Sequence, residues 1–461
     1  MSIRTLLIWI IIAGTLGGIV IAIKAQQNKT LLTKPATASR LISFDPASTI
    51  TLERAVANQR EVLRQDPTEP GRWTIHWSHA GMDHQWAAQP NKVRSALRTL
   101  ATARILPADE NLITTLAGEF IIRQLNGDSI RIEFDASSSG GYTPIRVEER
   151  DSQGIATAMW FGRIEKNIAD AFIPKPIKDW RSDRIFEMPN SAVRGLELSA
   201  MGTSVEFARM NTGWMIQKPI QIHGNTTQIE NLVKVLTSLE AATFVDDPLD
   251  PATTGLGTPI ATIRISATDE SSTLTIGTRA DVDGTRVYAQ LNTSTGSALV
   301  TLETDQLAKL TAVVDAYIAK TPSRQNLSAI RAVRIEGRDG KTRLKADKSA
   351  GNWIIAGAQA DSLNRDAIER LLRVLIRNQA PLVRLLDANT PIEPLGYVEL
   401  LGENEQPLNR FAIALDSTDA GMRLLILQKL TSGQQVLWAS NADEALATGA
   451  WLTAVAGKRV P

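Results

Sequence analysis

The chain has 461 residues, of which 43% are hydrophobic and 21% are charged, a composition typical of a folded protein with more than one core. Its 50 Lys and Arg residues nearly balance its 49 Asp and Glu residues, so no overall field attracts nucleic acid. Cysteine is absent, which excludes disulfides, thiolate metal ligands and a cysteine nucleophile.

The N-terminus carries an uncharged segment, Thr5–Ile23, between Arg4 and Lys24. As a helix it spans about 28 Å, close to the ~30 Å hydrocarbon core of a bilayer. The alternative is a cleaved signal peptide, whose apolar region is usually only ~7–15 residues long. The length of the segment favours a retained transmembrane anchor over residues 5–23.

The orientation of this anchor is predicted less directly. More basic residues follow the span than precede it, which by the charge rule slightly opposes a cytoplasmic N-terminus. A first hydrophobic segment so near the start nevertheless usually exports the chain behind it. We therefore expect a single-pass protein of the cytoplasmic (inner) membrane with its bulk on the extracytoplasmic side. Residues 24–40 are polar without an apolar period and predict a tether.

A tryptophan motif recurs along the rest of the chain. Trp73, Trp214 and Trp353 each follow a glycine by one or two residues and precede an apolar strand pattern. An amphipathic helix pattern comes next each time, and Val93, Leu232 and Leu371 within it are spaced 139 residues apart. The recurrence predicts three copies of one unit, with the tryptophans in its core.

Alternating strand patterns lie before each Trp motif and after each helix, as in Ile130–Phe134 and Ile260–Ile265. A closing helix is predicted over Asp305–Ala319. Runs of strands with segregated helices indicate an α+β fold with antiparallel sheets. The sequence thus predicts an N-terminal transmembrane helix followed by three tandem repeats of about 140 residues. The predicted segments are 1–40 (anchor and tether), 41–180, 181–323 and 324–461.

The order of these motifs resembles a bacterial family known only as a domain of unknown function. The resemblance rests on the anchor, the Gly-x-Trp-x-Ile strand, the Leu-rich helix and a Leu-Gly turn before the next strand. In this sequence the turn is Thr254–Pro259 in the second copy and Pro394–Tyr397 in the third, while Leu116–Gly118 departs from it in the first. The resemblance implies a bacterial cell-envelope protein, often encoded beside an ABC transporter of the gliding-motility type. It implies no catalytic residues.

Three of the four histidines, His76, His79 and His84, lie within nine residues of one another. Imidazoles so clustered are candidate zinc or copper ligands. Strand alternation, however, places His76 and His79 on opposite faces, and the other two copies have Gln217 and Ala356 at the position of His76. An exposed hairpin is therefore the favoured interpretation, and the metal site is kept as a candidate.

Two further patterns favour ordinary turns. Asp246, Asp247 and Asp250 lack the ligand spacing of a calcium loop and predict a solvated turn. Gly255-x-Gly257 precedes a strand, whereas a phosphate-binding loop opens a helix. Motifs of serine hydrolases, P-loop enzymes and zinc proteases are absent from the sequence.

Three functions follow as hypotheses. The first is a non-enzymatic, membrane-anchored interaction protein, an accessory subunit of an ABC-type transporter with a membrane protein as partner and without cofactor or nucleic acid. The second is an envelope sensor or carrier of a small molecule, glycan or lipid, which would need a concave apolar pocket at a repeat junction. The third, and least favoured, is a metal-dependent enzyme built on the histidine cluster.

Overall fold

The computed structural model describes residues 40–57, 59–79, 82–108, 110–173, 175–247, 249–294, 296–355, 362–418 and 421–456. Within these residues it contains three β-sheets, seven α-helices and several short 3-10 helices. Every strand pair with a described register is antiparallel, as in Leu52 opposite Leu63 and Leu196 opposite Phe207. The predicted α+β class with antiparallel sheets is confirmed.

The first sheet has ten described strands in the order β1-β6-β10-β9-β8-β7-β2-β3-β4-β5. The strands are β1 (Arg40–Leu41), β2 (Thr49–Val56), β3 (Gln59–Gln65), β4 (Trp73–His79), β5 (Met82–Ala87), β6 (Arg104–Ala108), β7 (Leu116–Gln124), β8 (Ser129–Asp135), β9 (Tyr142–Arg150) and β10 (Ala156–Glu165). The helices in this part of the chain are α1 (Pro90–Thr102), α2 (Lys166–Phe172) and the 3-10 turns Pro46–Ser48 and Ile177–Trp180.

The second sheet has nine described strands in the order β14-β13-β12-β11-β16-β17-β18-β19-β15. The strands are β11 (Gly195–Ala200), β12 (Thr203–Met210), β13 (Gly213–Lys218), β14 (Ile222–His223), β15 (Thr243–Val245), β16 (Ala261–Ser266), β17 (Ser271–Arg279), β18 (Arg286–Thr293) and β19 (Gly296–Glu303). The helices are α3 (Thr226–Thr237), α4 (Pro251–Thr254), α5 (Thr304–Leu307) and the 3-10 turns Asn190–Ala192 and Val314–Tyr317.

The third sheet has eight described strands in the order β22-β21-β20-β24-β25-β26-β27-β23. The strands are β20 (Ala332–Gly337), β21 (Thr342–Ser349), β22 (Asn352–Ile355), β23 (Leu382–Leu386), β24 (Gly396–Leu401), β25 (Pro407–Thr418), β26 (Gly421–Lys429) and β27 (Gln435–Ser440). The helices are α6 (Ser362–Ile376), α7 (Asp443–Ala456) and the 3-10 turn Glu403–Glu405.

All three sheets share one strand order. In the first sheet, β6, which follows the amphipathic helix α1, lies beside the last strand, β10. Strands β9, β8 and β7 come next, and β2, β3 and the Trp strand β4 complete the order. In chain order this is β6-β10-β9-β8-β7-β2-β3-β4, with β15-β19-β18-β17-β16-β11-β12-β13 and β23-β27-β26-β25-β24-β20-β21-β22 as its counterparts.

The three motif tryptophans are core residues, as predicted. Trp73 is 5% exposed, Trp214 is fully buried and Trp353 is 6% exposed. The helix positions that the sequence assigns to an apolar face, Val93, Leu232 and Leu371 among them, are also buried. Alternation along strands such as β9 then places every second side chain against the same core.

Two helices begin with residues that favour a helix start. Asn225 caps α3, because its side-chain oxygen accepts a hydrogen bond from the Gln228 backbone N–H at 3.3 Å. Pro90 occupies the first position of α1, where its missing N–H costs no intrahelical hydrogen bond.

The predicted closing helix over Asp305–Ala319 is wrong. The structure has only the single turn α5, followed by the 3-10 turn Val314–Tyr317. The intervening segment contains the β-branched residues Thr311 and Val313, which favour helix weakly. In place of a continuous helix, the chain forms a 3-10 turn that buries the Tyr317 ring edge-on against Phe207.

The chain divides into two compact units. The first contains the described parts of Met1–Glu187, Glu240–Pro248 and Thr295–Val300, and the second contains those of Met188–Leu239, Leu249–Ser294 and Thr301–Pro461. No helix in the described residues has the length and apolar character needed to cross a bilayer. The predicted anchor over residues 5–23 and most of the predicted tether lie outside the described residues.

Candidate functional site

A cavity of about 370 Å³ lies in the second unit, at the junction between the second and third sheets. The linker around Thr321 passes through this junction and is held on both sides. The Ala319 backbone N–H donates to the His223 carbonyl oxygen at 3.0 Å, and the indole N–H of Trp438 donates to the Ala319 carbonyl oxygen at 2.8 Å. We call this space the junction cavity. Its lining comprises Thr212, Met215, Gln221, Ile222, His223, Ala319, Thr321, Pro322, Arg324, Gln325, Asn409, Gln428, Leu430 and Trp438.

The cavity wall is cationic. Arg324 is exposed at the cavity wall, and its Nη2 donates to the Gly224 carbonyl oxygen at 2.8 Å. None of the lining residues is acidic, and no ion pair joins Arg324 to a carboxylate within the described part of the chain. Partial desolvation at the wall lowers the pKa of Arg324, but a guanidinium remains charged at neutral pH. An unpaired, partly desolvated cation of this kind favours an anion as its partner.

His223 lies beside this guanidinium. Burial, and then the charge of Arg324, lowers the pKa of His223 below its usual value. The imidazole is therefore neutral at neutral pH and presents one donor and one acceptor. An anion bound next to it would raise its pKa again, so that binding would take up a proton in the mildly acidic range.

The rest of the wall supplies neutral hydrogen-bonding groups. Three glutamines and Asn409 face the space, and the Asn409 side-chain oxygen accepts a hydrogen bond from the Ser323 hydroxyl at 2.9 Å. Small-molecule sites typically occupy about 300–1,000 Å³ and orient their ligand with a few polar groups. The junction cavity therefore suits a small polar anion. The ligand-binding hypothesis expected an apolar pocket at such a junction, whereas the wall here is largely polar.

The histidine cluster is not brought together on one face of its hairpin. In the pairing of β4 with β5, His76 lies opposite Gln85 and Trp77 lies opposite His84, so the two imidazoles face opposite sides of the sheet. The His84 ring stacks on Trp77 with centroids 5.1 Å apart. Burial, followed by the charge of Arg64, lowers the pKa of His76. The side chain of His79 lies outside the described residues, and the described residues contain no group of three potential ligands.

The same hairpin is less exposed than predicted. Trp77 and Trp86 are each 7% exposed, and the Trp86 indole N–H donates to the Ser182 carbonyl oxygen at 2.9 Å. The guanidinium of Arg181 lies over both Trp77 and Phe244, at 5.2 Å and 4.0 Å from their ring centroids. These aromatic contacts bury one face of the hairpin, which the strand pattern alone does not reveal.

The predicted solvated turn is wrong for Asp246. Its carboxylate is in ion pairs with Arg181 at 2.5 Å and Lys178 at 2.8 Å, all in the first unit. Burial alone would raise the pKa of Asp246, but the hydrogen bonds from these two cations lower it. Asp250 instead caps the short helix α4, and Gly255 ends that helix in the left-handed region at φ 66°. A Cβ at Gly255 would lie 2.3 Å from the Thr278 methyl carbon, so this glycine is needed for packing.

The junction residues were not candidates at the level of the sequence. The segment Thr321–Asn326 is predicted to be a boundary between repeats, because Pro, Ser and charged residues cluster there. His223 is an isolated histidine, so the sequence gives no reason to select it. The available signal is a cation, Arg324, inside a boundary segment. Only the fold shows that this segment returns against β14 and β25–β27 and encloses a cavity.

Comparison with known proteins gives a family match over part of the chain and no activity. Residues 163–259 match the model of the family described as Domain of unknown function (DUF4340), which confirms the predicted resemblance over this part of the chain. No curated protein is significantly similar to the sequence.

Two solved structures are weakly similar. One, from Eubacterium rectale and provisionally described as a DNA polymerase III beta subunit, has 10% identity and a TM-score of 0.16, with 90% of this chain and 94% of that chain covered. The other is a sialidase of Trypanosoma rangeli in complex with sialic acid, at 9% identity and a TM-score of 0.09, covering 91% of this chain and 60% of that chain. Neither TM-score supports a shared fold.

Proposed function

We propose that this protein is a non-enzymatic binding protein of the cell envelope that holds a small anionic molecule in the junction cavity. The observation that carries this proposal is the guanidinium of Arg324, which lines the cavity without a carboxylate partner among the described residues. The ligand would be an acidic sugar, a sugar phosphate or a lipid headgroup, because these combine a negative charge with hydroxyls for the surrounding amides.

The binding experiment uses the full chain in detergent micelles and isothermal titration with inorganic phosphate, a hexuronate and a sugar phosphate. We expect one of these anions to bind at a single site. Replacement Arg324→Gln should weaken that binding about tenfold or more, since a charge-assisted hydrogen bond is worth about 1.5–3 kcal/mol. Binding should tighten as the pH falls from about 7.5 to about 5.5, because the anion favours protonated His223.

The matched control is Arg123→Gln, which removes an exposed arginine on β7. It should leave the affinity unchanged. Equal loss of affinity in both variants would mean that the anion is held by overall charge, and absence of saturable binding by the wild-type chain would contradict the proposal.

We further propose that the three sheets are three copies of one repeat, bounded as residues 41–180, 181–323 and 324–461. The common strand order supports this, as does the place of each buried Trp on the third strand of its sheet. Tandem copies create junctions between neighbouring units, and such junctions are common places for ligand sites.

The location of the protein is proposed from its first residues. Residues 5–23 would anchor the chain in the inner membrane, with residues 41–461 on the extracytoplasmic side and a membrane protein, such as an ABC-type transporter, as partner. The uncharged run and the family resemblance over residues 163–259 support this proposal. Confinement to the bilayer surface would raise the effective concentration of such a partner.

This topology predicts that the full chain resists carbonate extraction from membranes and that protease added to spheroplasts degrades it. A variant with Ile11→Lys and Ile12→Lys, which places two charges within the span, should be extracted by carbonate. Release of the unmodified chain, or its protection from protease in intact spheroplasts, would contradict the topology.

A further inference from the structure

A second cavity recurs at one position of the fold, between the Trp strand and the amphipathic helix. Beside Trp73 it measures about 380 Å³, and beside Trp353 about 240 Å³. In both places the wall includes the residue paired with the tryptophan across the sheet, which is Gln65 in the first case and Lys348 in the other. We call the first space the Trp73 groove, which is lined chiefly by Trp73, Gln65, Leu97, Arg94 and Arg98.

The second sheet shows what chemistry fits this position, because the chain fills it with its own side chains. The Trp214 indole N–H donates to Glu230 Oε1 at 2.8 Å, and Arg209, which pairs with Trp214 across the sheet, donates to Glu230 Oε2 at 2.9 Å. The guanidinium of Arg209 also lies 4.8 Å from the centroid of the indole ring. A carboxylate held between an indole N–H and a cation thus occupies this position.

The first sheet lacks the Arg–Glu pair that the second sheet has at this position. Gln65 stands where the second sheet has Arg209, and Asn91 stands 139 residues before Glu230, the same spacing as Val93 to Leu232. The helix instead presents Arg94 and Arg98, one turn apart and both exposed. Neither guanidinium is in an ion pair within the described residues. Asp45 also lines the groove, but its Oδ1 accepts a hydrogen bond from the Ala47 backbone N–H at 2.9 Å.

We propose that the Trp73 groove is a docking site for an acidic segment of a partner protein, whose carboxylate takes the place that Glu230 takes beside Trp214. Arg94 and Arg98 supply the complementary charge, and Leu97 with the indole of Trp73 supplies an apolar floor. This surface belongs to the first unit and shares no residue with the junction cavity, so it stands independently of the proposed ligand.

The test measures binding of a fluorescein-labelled peptide of alternating Glu and Ala residues to the full chain in detergent micelles, by fluorescence polarisation at low ionic strength. A peptide with Gln in place of Glu should not bind. Replacement Arg94→Gln with Arg98→Gln should weaken binding of the acidic peptide about tenfold or more, because two charge-assisted contacts are lost. The control pair Arg123→Gln with Arg163→Gln removes two exposed arginines from strands β7 and β10 and should change the affinity less than about twofold.

A second variant fills the groove rather than removing its charge. Replacements Gln65→Arg and Asn91→Glu reproduce the pair found beside Trp214 and should also abolish peptide binding, while far-UV circular dichroism and the melting curve remain unchanged. If the Arg94→Gln, Arg98→Gln variant fails to fold, peptide binding by the Gln65→Arg, Asn91→Glu variant tests the proposal on its own. The proposal would be overturned if the control pair weakened peptide binding as much as the Arg94→Gln, Arg98→Gln variant does. It would also be overturned if the filled variant bound the peptide as well as the unmodified chain, or if the chain bound anionic lipid vesicles but not the peptide.

Discussion

Replacement Trp214→Ala is expected to lower the free energy of unfolding of the second unit by about 3–5 kcal/mol, the range for truncating a buried aromatic side chain. The indole is fully buried, so its loss leaves a cavity in the core of the second sheet. The change also removes the donor to Glu230 and the ring beneath Arg209. Chemical denaturation of the full chain in detergent, followed by tryptophan fluorescence, measures this loss.

The equivalent replacements Trp73→Ala and Trp353→Ala provide the comparison. These tryptophans are 5% and 6% exposed. Trp73→Ala should therefore destabilise the first unit, and Trp353→Ala the second unit, by a similar amount. Trp214→Phe, which keeps part of the apolar volume, should cost less than Trp214→Ala. Unchanged unfolding curves for all three alanine variants would show that the motif tryptophans do not form the core.

Replacement Arg54→Met is expected to lower the free energy of unfolding of the first unit by about 3–5 kcal/mol, because it leaves a buried charge without its partner. The side chains of Arg54 and Glu61 are each only 4% exposed, and Arg54 Nη1 lies 3.0 Å from Glu61 Oε2. Arg54 Nε also donates to the Phe172 carbonyl oxygen at 3.0 Å, and Glu61 accepts from the Ile177 backbone N–H at 2.7 Å. The pair therefore connects β2 and β3 to the segment that follows α2.

The double variant Arg54→Met with Glu61→Met removes both charges and should be less destabilised than the sum of the single variants, with a coupling of about 0.5–3 kcal/mol. The exposed pair Arg72–Glu69 is the control, since its side chains are 44% and 63% exposed. Arg72→Met should change the free energy of unfolding by no more than about 1 kcal/mol. Strictly additive effects at Arg54 and Glu61 would contradict the account of this pair.

Much of the fold can be predicted from the sequence because it depends on local residue patterns. The buried helix positions such as Leu232 and the strand alternation around Ile132 depend only on residue spacing, and the structure confirms them. The closing helix failed because burial of Tyr317 is a tertiary effect that outweighs the helical pattern.

The candidate sites are harder to predict from the sequence than the fold is, since they depend on long-range contacts. Asp246 lies far from Lys178 in sequence, and their ion pair has no local signature. The contact of Asn409 with Ser323 at the junction cavity is equally non-local. The sequence cluster of His76 and His84, in contrast, is separated by the alternation of the strands. Residues close in sequence are therefore not necessarily close in space, and the cavity could be found only from the fold.

We propose both that the chain binds a small anion at the junction cavity and that it does not transform it. Equilibrium dialysis of the full chain against the anion that binds in the titration, with mass spectrometry of the recovered ligand, tests both parts of that claim. We expect one ligand per chain, recovered chemically unchanged, and loss of the bound fraction in the Arg324→Gln variant. Chemical conversion of the ligand by the wild-type chain, or undiminished occupancy in the Arg324→Gln variant, would contradict it.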